Sequence, residues 1–117
     1  MRLNTDLELP DVLLALRATT LTSAPEANVQ GCYISDLLSD VLANAKPGML
    51  WVTVQIHRNV VSVAATKDIP AVLITCGRKP DPAVIAEAEE EGIALLATPL
   101  TTYEAAGKLW QAGLRTP

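Results

Sequence analysis

The second half of the chain, and part of the first, alternates between short apolar segments and segments with helical periodicity. Apolar segments rich in strand-forming residues begin at Val29, Met49, Ile69 and Ile93, and a helical pattern follows each of them. Residues 69–75 are apolar almost throughout, which is typical of a strand covered on both faces. Because parallel strands need crossover helices, this order predicts a mostly parallel sheet in an α/β three-layer sandwich, with helices on both faces of the sheet.

Capping residues predict where the helices begin and end. Ser35 is predicted as an N-cap with Asp36 in the first turn, ahead of a buried stripe formed by Leu37, Leu38, Val41 and Leu42. Thr101 and Glu104 have the spacing of a capping box. The remaining signals are Asn59 and the Asp81-Pro82 pair at helix starts, Gly92 and Gly113 after helix ends, and the turn 46–48.

The length predicts one domain, residues 1–117, because it falls within the usual range for a single domain. Within it, residues 1–28 contain a helical stripe at 7–17, a β-prone segment at 18–22 and a polar loop at 23–28. Residues 29–114 contain the β-α repeats.

Charge and composition exclude several classes of partner. The chain has 9 basic and 13 acidic residues, a net charge of −4, and no block of Lys and Arg, which argues against nucleic acid. Its most apolar stretches, 49–56 and 60–65, are shorter than the roughly 18 residues of a membrane span. Its acidic N-terminal residues do not resemble a signal peptide, and Cys32 and Cys76 form no disulfide framework, so we expect a cytoplasmic protein with reduced thiols.

The expected assembly is a homodimer. Half of the residues are apolar and the mean hydropathy is +0.27, high for a small domain, so self-association would cover residual apolar surface. The chain has four aromatic residues and no Phe. Trp51 and Trp110 are candidates for the interface, and either one is alternatively a core residue.

Ligands of open α/β sheets bind beyond the carboxyl ends of the strands, where polar residues of this chain also cluster. Main-chain N–H groups, Arg side chains and hydroxyls at this edge suit a small anion, so a phosphate- or nucleotide-like ligand is expected there. Lys79 and Thr102 also follow these strands. The candidate ligand-binding residues are Ser35, Asp36, Gln55, His57, Arg58, Asn59, Thr75, Cys76, Gly77, Arg78, Thr98 and Thr101.

Known catalytic signatures do not occur in the sequence. It contains no GxxxxGK[ST], GxGxxG, GxSxG, HExxH or CxxC, so we expect no catalytic residues, no metal and no cofactor. The cluster of Glu87, Glu89, Glu90 and Glu91 is interpreted as a solvated helix face. Three alternatives stay open: a small enzyme that uses His57, Arg58 and Cys76, a metal site formed by Cys32 with His57 and Cys76, and a purely structural interaction subunit.

Four segments together resemble a known family: residues 31–41, 55–59, 73–77 with Pro80, and 98–104. The chain resembles a stand-alone DRTGG domain, which is similar to the N-terminal, non-catalytic domain of HPr kinase/phosphorylase. This resemblance implies a regulatory or assembly module, often dimeric, that senses a ligand or docks onto a partner protein. Of the family motif, Arg58, Thr75 and Gly77 are retained.

Two departures from the family motif bear on the site. Its Asp-Arg pair is His57-Arg58 here, and its Thr-Gly-Gly is Thr75-Cys76-Gly77. A cysteine in place of the first glycine is expected to lose freedom for positive φ, and if that glycine serves close approach of a ligand, the site is altered or lost.

Overall fold

The predicted β-α repeats form one mostly parallel sheet in the computed structural model, which describes residues 6–23 and 28–116. Parts of the predicted N-terminal region and of the loop at 23–28 lie outside these residues. The elements are β1 (Asp6–Glu8), α1 (Leu9–Leu16), β2 (Thr19–Thr20), β3 (Asn28–Gln30), β4 (Cys32–Ile34), α2 (Leu38–Asn44), β5 (Leu50–Thr53), α3 (Asn59–Thr66), β6 (Ala71–Ile74), α4 (Pro82–Glu90), β7 (Ala94–Ala97) and α5 (Thr102–Gln111).

The main sheet has five strands in the order β2-β7-β6-β5-β4. Strands β4 to β7 are parallel and neighbour one another in chain order, with Leu50 opposite Ala71 and Ala71 opposite Ala94. Strand β2 runs antiparallel along β7, with Thr19 opposite Ala97. This arrangement confirms the predicted α/β sandwich and shows that residues 19–20 complete the sheet.

Helices cover both faces of the sheet, each over its own apolar core. Alternate strand residues point to opposite faces, so Leu50 and Val52 join one core and Trp51 the other. The first core contains α1 and α5 through Val12, Leu16, Ala105 and Leu109. The second contains α2, α3 and α4 through Val41, Val60, Val61, Val63, Ala64, Val84 and Ala88. Trp51 is fully buried, so the core alternative holds for this residue.

The first predicted strand, 29–34, is divided in the structure. Gly31, with φ of 87°, separates β3 from β4. Strand β3 leaves the main sheet and pairs antiparallel with β1, whereas β4 forms an edge of the main sheet. The apolar pattern alone does not reveal this division, because both pieces have strand-like composition.

The C-terminal segment runs along the outer edge of β4. The N–H of Cys32 donates to the carbonyl of Arg115 at 3.0 Å, and the hydroxyl of Thr116 donates to the carbonyl of Cys32 at 2.8 Å. Leu114 is buried beneath this segment, and its N–H closes α5 on the carbonyl of Leu109. The predicted helix end near Gly113 is thereby confirmed.

The prediction for the start of α2 is wrong. The N-cap is Leu37, not Ser35, and Asp36 lies before the helix instead of in its first turn. Of the predicted stripe, Val41 is buried, but Leu37 is 64% and Leu42 is 42% exposed. The Ser35 hydroxyl accepts from the N–H of Leu37, which is a local turn that imitates a cap.

Other predicted boundaries are confirmed within one or two residues. The Thr101–Glu104 capping box is complete, with both reciprocal hydrogen bonds. Asp81 is the N-cap of α4, and Gly92 follows its end with φ of +70°. Helix α3 begins at Asn59, as predicted, with Arg58 as its N-cap. Within the described ranges, every helix is too short or too polar to cross a membrane.

Candidate functional site

The carboxyl ends of the strands form an edge where the connections to the helices diverge. The chain leaves β4, β5 and β6 for helices on one face of the sheet, but it leaves β7 for α5 on the other face. Crevices form in α/β sheets where neighbouring strands send their connections to opposite faces. The point at which this sheet changes over therefore lies between the loops that follow β6 and β7, and we use the word crevice for that region.

The loop after β6 makes a tight turn at this crevice. Cys76 and Gly77 both have left-handed backbone, with φ of 63° and 67°, and the N–H of Arg78 donates to the carbonyl of Thr75. The N–H groups of Cys76 and Gly77 donate to the carbonyls of Leu100 and Thr98, at 2.7 and 3.0 Å. These bonds join the two loops. Cysteine is expected to have less freedom for positive φ than glycine, and Cys76 nevertheless has it, because the paired loops hold the backbone there.

The thiol of Cys76 is exposed and faces the first turn of α5. Its pKa is lowered, mainly because the N–H of Thr102 faces the sulfur, and the hydroxyls of Thr75 and Thr102 add to this effect. Those two hydroxyls lie 2.7 Å apart. The carboxylate of Asp36 opposes the shift, so it too lies near the thiol. This position therefore favours a negatively charged atom.

Asp36 ties the end of β4 to the end of β5. Its Oδ1 accepts from the hydroxyl of Thr53 at 2.8 Å and from the N–H of Val54 at 2.9 Å. The side-chain amide of Gln55 donates to the carbonyl of Asp36 at 3.2 Å. Arg78 reaches into the same region, where its Nη1 donates to the carbonyl of Val54 at 2.9 Å. Asp36, Gln55 and Arg78 thus lie together beside the loop of Thr75 to Gly77.

His57 and Arg58 line a separate cavity of about 240 Å³ between α3 and α4. The Nδ1 of His57 accepts from the N–H of Asn59 at 3.1 Å, so a neutral ring carries its proton at Nε2. The Nε of Arg58 lies 3.6 Å from the carboxylate of Glu87. The remaining lining residues are Ile56, Asp81, Ala83 and Val84. Because two carboxylates line this cavity, it is less suited to an anion than the crevice is.

Three of the predicted site residues use their polar groups in hydrogen bonds to other groups of the protein. The hydroxyl of Thr98 is buried, donates to the carbonyl of Leu16 at 2.6 Å and accepts from the N–H of Leu100. Thr101 caps α5. Ser35 faces Asp40, where its hydroxyl is the largest cause of the lowered pKa of that carboxyl. Their contacts shape the loops that surround the crevice.

The residues of the metal and enzyme alternatives lie apart. Cys32 is at the amino end of β4, where burial raises the pKa of its thiol, whereas His57 and Cys76 follow the carboxyl ends of β5 and β6. In the part of the chain that the structure describes, no group of three His, Cys, Asp or Glu residues is arranged to hold a metal. The polar partners of His57, Arg58 and Cys76 are Asn59, Glu87, and Thr75 with Thr102, rather than one another.

Besides Thr102, two residues near this edge were not among the predicted ligand-binding residues. Thr53 is fully buried at the end of β5, and its position as a polar residue closing an apolar strand was the available signal. Glu87 was interpreted as part of a solvated face, but it is half-buried and pairs with Arg58. It lies one helical turn after the buried Val84, which places it at the border of the apolar face.

Comparisons with known proteins agree with the fold of this chain. The family model of the DRTGG domain matches residues 11–112. A solved structure with the same fold contains the CBS and DRTGG domains of the regulatory region of Clostridium perfringens pyrophosphatase, complexed with the activator diadenosine tetraphosphate. The TM-score is 0.75 at 14% identity, over 89% of this chain and 46% of that chain. This chain thus spans about half of the pyrophosphatase regulatory region. No curated protein matches the chain significantly.

Proposed function

The chain belongs to the DRTGG domain family, and from this membership we propose that it is a regulatory, non-catalytic module that senses a small anionic ligand carrying phosphate, such as a nucleotide. The observation that carries the proposal is the crevice between the loops after β6 and β7. There, the first turn of α5 and the hydroxyls of Thr75 and Thr102 favour negative charge on the atom that faces them. The guanidinium of Arg78 lies beside the same loop.

The pyrophosphatase regulatory region, which has the same fold in part, is complexed with a nucleotide activator. That precedent supports testing nucleotides first. The proposal also includes assembly as a homodimer and a kinship with the N-terminal domain of HPr kinase/phosphorylase. A cytoplasmic location is part of it, because two free thiols, one of them exposed, are typical of a reducing compartment.

The test is thermal denaturation of the chain with AMP, ATP, diadenosine tetraphosphate and inorganic phosphate. A ligand that binds only the native state raises the free energy of unfolding, by about 2.7 kcal/mol at a concentration of 100 times Kd. We expect a rise in Tm with at least one nucleotide, and a smaller rise for the variant Arg78→Ala. The matched control is Lys46→Ala, which removes an exposed cation before β5, at the opposite edge of the sheet.

Each outcome of this test decides the proposal. If no anion changes the Tm of the unaltered chain, ligand sensing by this module is refuted. If Arg78→Ala and Lys46→Ala respond alike, binding occurs away from the crevice. Product formation from any of these nucleotides would favour the enzyme alternative, whereas capture of one protein partner without a small-molecule effect would favour the docking alternative.

A further inference from the structure

Helix α5 presents an exposed face that is unusual for a chain with four aromatic residues. Tyr103 is 88% exposed and Trp110 is 62% exposed, although the opposite side of the helix buries Ala105 and Leu109 in the core. A groove of about 540 Å³ runs along this face. We define the α5 face by the residues that line the groove, which are Tyr103, Glu104, Ala106, Gly107, Lys108, Trp110 and Gln111.

The α5 face is complementary to itself in reverse order. Read from its start, it presents an aromatic ring, an acid, a glycine, a base and a second aromatic ring. An isologous contact needs a surface in which residue i meets residue j and residue j meets residue i. Two copies of α5 laid antiparallel about an axis near Gly107 place Tyr103 against Trp110 of the other copy. The same axis places Glu104 against the other copy's Lys108.

We propose that α5 packs antiparallel against α5 of a second copy of this chain, and that this contact is the homodimer interface. The inference rests on the homodimer part of the proposed function and names its surface. The four charges of the pair alternate in sign around the axis, which fixes the register. If the two helices packed parallel about a two-fold axis, each Glu104 would instead lie towards Glu104 of the other copy. Repulsion between these like charges disfavours that arrangement.

Three local features prepare the α5 face for this packing. The guanidinium of Arg115 lies 3.5 Å from the centroid of the Trp110 ring and donates to the Trp110 carbonyl, so the ring is held before association. The carboxylate of Glu104 is held by the N–H and hydroxyl of Thr101. A Cβ at Gly107 would meet nothing within 4 Å, so this point of the helix surface is open to close approach of a second helix.

The test is sedimentation velocity of the chain from micromolar to millimolar concentration. We expect a dimer for the unaltered chain, and a Kd at least thirtyfold weaker for Trp110→Ala, because buried tryptophans dominate interface energetics. Lys108→Glu turns two attractions into two repulsions and is expected to weaken the Kd about tenfold. The matched controls are Leu42→Ala, an exposed apolar truncation on α2, and Lys46→Glu, the same charge change away from α5.

The results separate this inference from the ligand proposal. A monomer throughout the concentration range overturns it, and so does a dimer whose Kd responds to α5 variants no more than to the controls. Circular dichroism confirms that each variant is folded. The nucleotide-dependent rise in Tm is measured on the same variants, and its presence or absence in Lys108→Glu tests ligand sensing independently of assembly.

Discussion

Replacing Cys76 by glycine is expected to leave the fold more stable than replacing it by alanine. Cys76 has a φ of 63°, in the left-handed region, and both its loop and the loop after β7 hold it there. Alanine keeps the Cβ that makes this conformation unfavourable, whereas glycine removes it. Both variants lose the thiol, so the comparison between them isolates the backbone.

The magnitude follows from two opposing terms. Left-handed backbone costs a residue with a Cβ about 1–2 kcal/mol. Glycine lowers the free energy of unfolding by about 0.4–1 kcal/mol, because it gives the unfolded chain more conformational freedom, which is lost on folding. Taking the middle of each range, the glycine variant is more stable by roughly 0.8 kcal/mol, which for a chain of this length is a difference in Tm of roughly 3 °C.

The assay is urea denaturation followed by circular dichroism, with thermal melting as a second measurement. The control is Ala86→Gly in α4, an exposed helical position where the same exchange of alanine for glycine is expected to cost about 1 kcal/mol. The exchange thus has opposite signs at the two positions. If Cys76→Ala equals or exceeds Cys76→Gly in stability while Ala86→Gly shows its usual loss, residue 76 does not have left-handed backbone and the reasoning is refuted.

Three further predictions concern the same edge of the molecule. A thiol reagent is expected to modify Cys76 rapidly in the native chain and Cys32 only after unfolding. The rate at Cys76 is expected to reach half its maximum at a lower pH than the rate for a free peptide thiol, because the pKa of Cys76 is lowered. Equal rates for the two residues would contradict their difference in burial and the opposite shifts of their pKa. The pKa of Glu104 is lowered, mainly by the N–H of Thr101. A carboxyl whose pKa is lower in the folded than in the unfolded state stabilises the fold at pH values above its unfolded-state pKa, and this stabilisation is lost as the pH falls through its folded-state pKa. The difference in free energy of unfolding between the unaltered chain and Glu104→Gln is therefore expected to narrow below about pH 4.3 in urea titrations. A difference that stays constant with pH would contradict this. Thr53→Val removes the hydrogen bonds of the Thr53 hydroxyl to Asp36 and Gln55 and is expected to lower the free energy of unfolding by about 0.5–1.5 kcal/mol in urea denaturation, because Asp36 is exposed and water replaces the lost donor. Exposed Thr66→Val is the near-neutral control.

The fold class was predictable because the periodicity of the apolar residues and the capping and turn residues agreed along most of the chain. Within the predicted segment 69–75, residues 71–74 form a strand covered on both faces, and the capping box at Thr101 starts α5 where the sequence indicates. Local signals failed where a tertiary contact changed the role of a residue. Ser35 is a residue type favoured at N-caps, but the carboxylate of Asp36 accepts hydrogen bonds from Thr53 and Val54 on the neighbouring strand end. Helix α2 therefore begins later.

The candidate site was predictable as an edge of the sheet but not as a set of contacts. Residues that follow parallel strands must share an edge, so the general location follows from topology alone. The division into a crevice and a separate cavity depends on which face receives each helix. That division comes from α5 crossing to the other face, and from Arg58 pairing with Glu87 on α4. Neither event has a local sequence signal.

The way the sheet ends has a consequence for how copies of this chain meet. An unpaired edge strand offers its N–H and carbonyl groups to any other strand, which is a route to aggregation. Here Arg115 and Thr116 bond to the N–H and carbonyl of Cys32 on β4, and the opposite edge of the described sheet is the two-residue strand β2. Addition of a strand from another molecule is therefore obstructed at β4, and β2 is too short to pair with more than a few residues of an added strand. The proposed homodimer therefore has to form through the helical layers, where side chains rather than backbone set the register, and such an assembly is specific and stops at two copies.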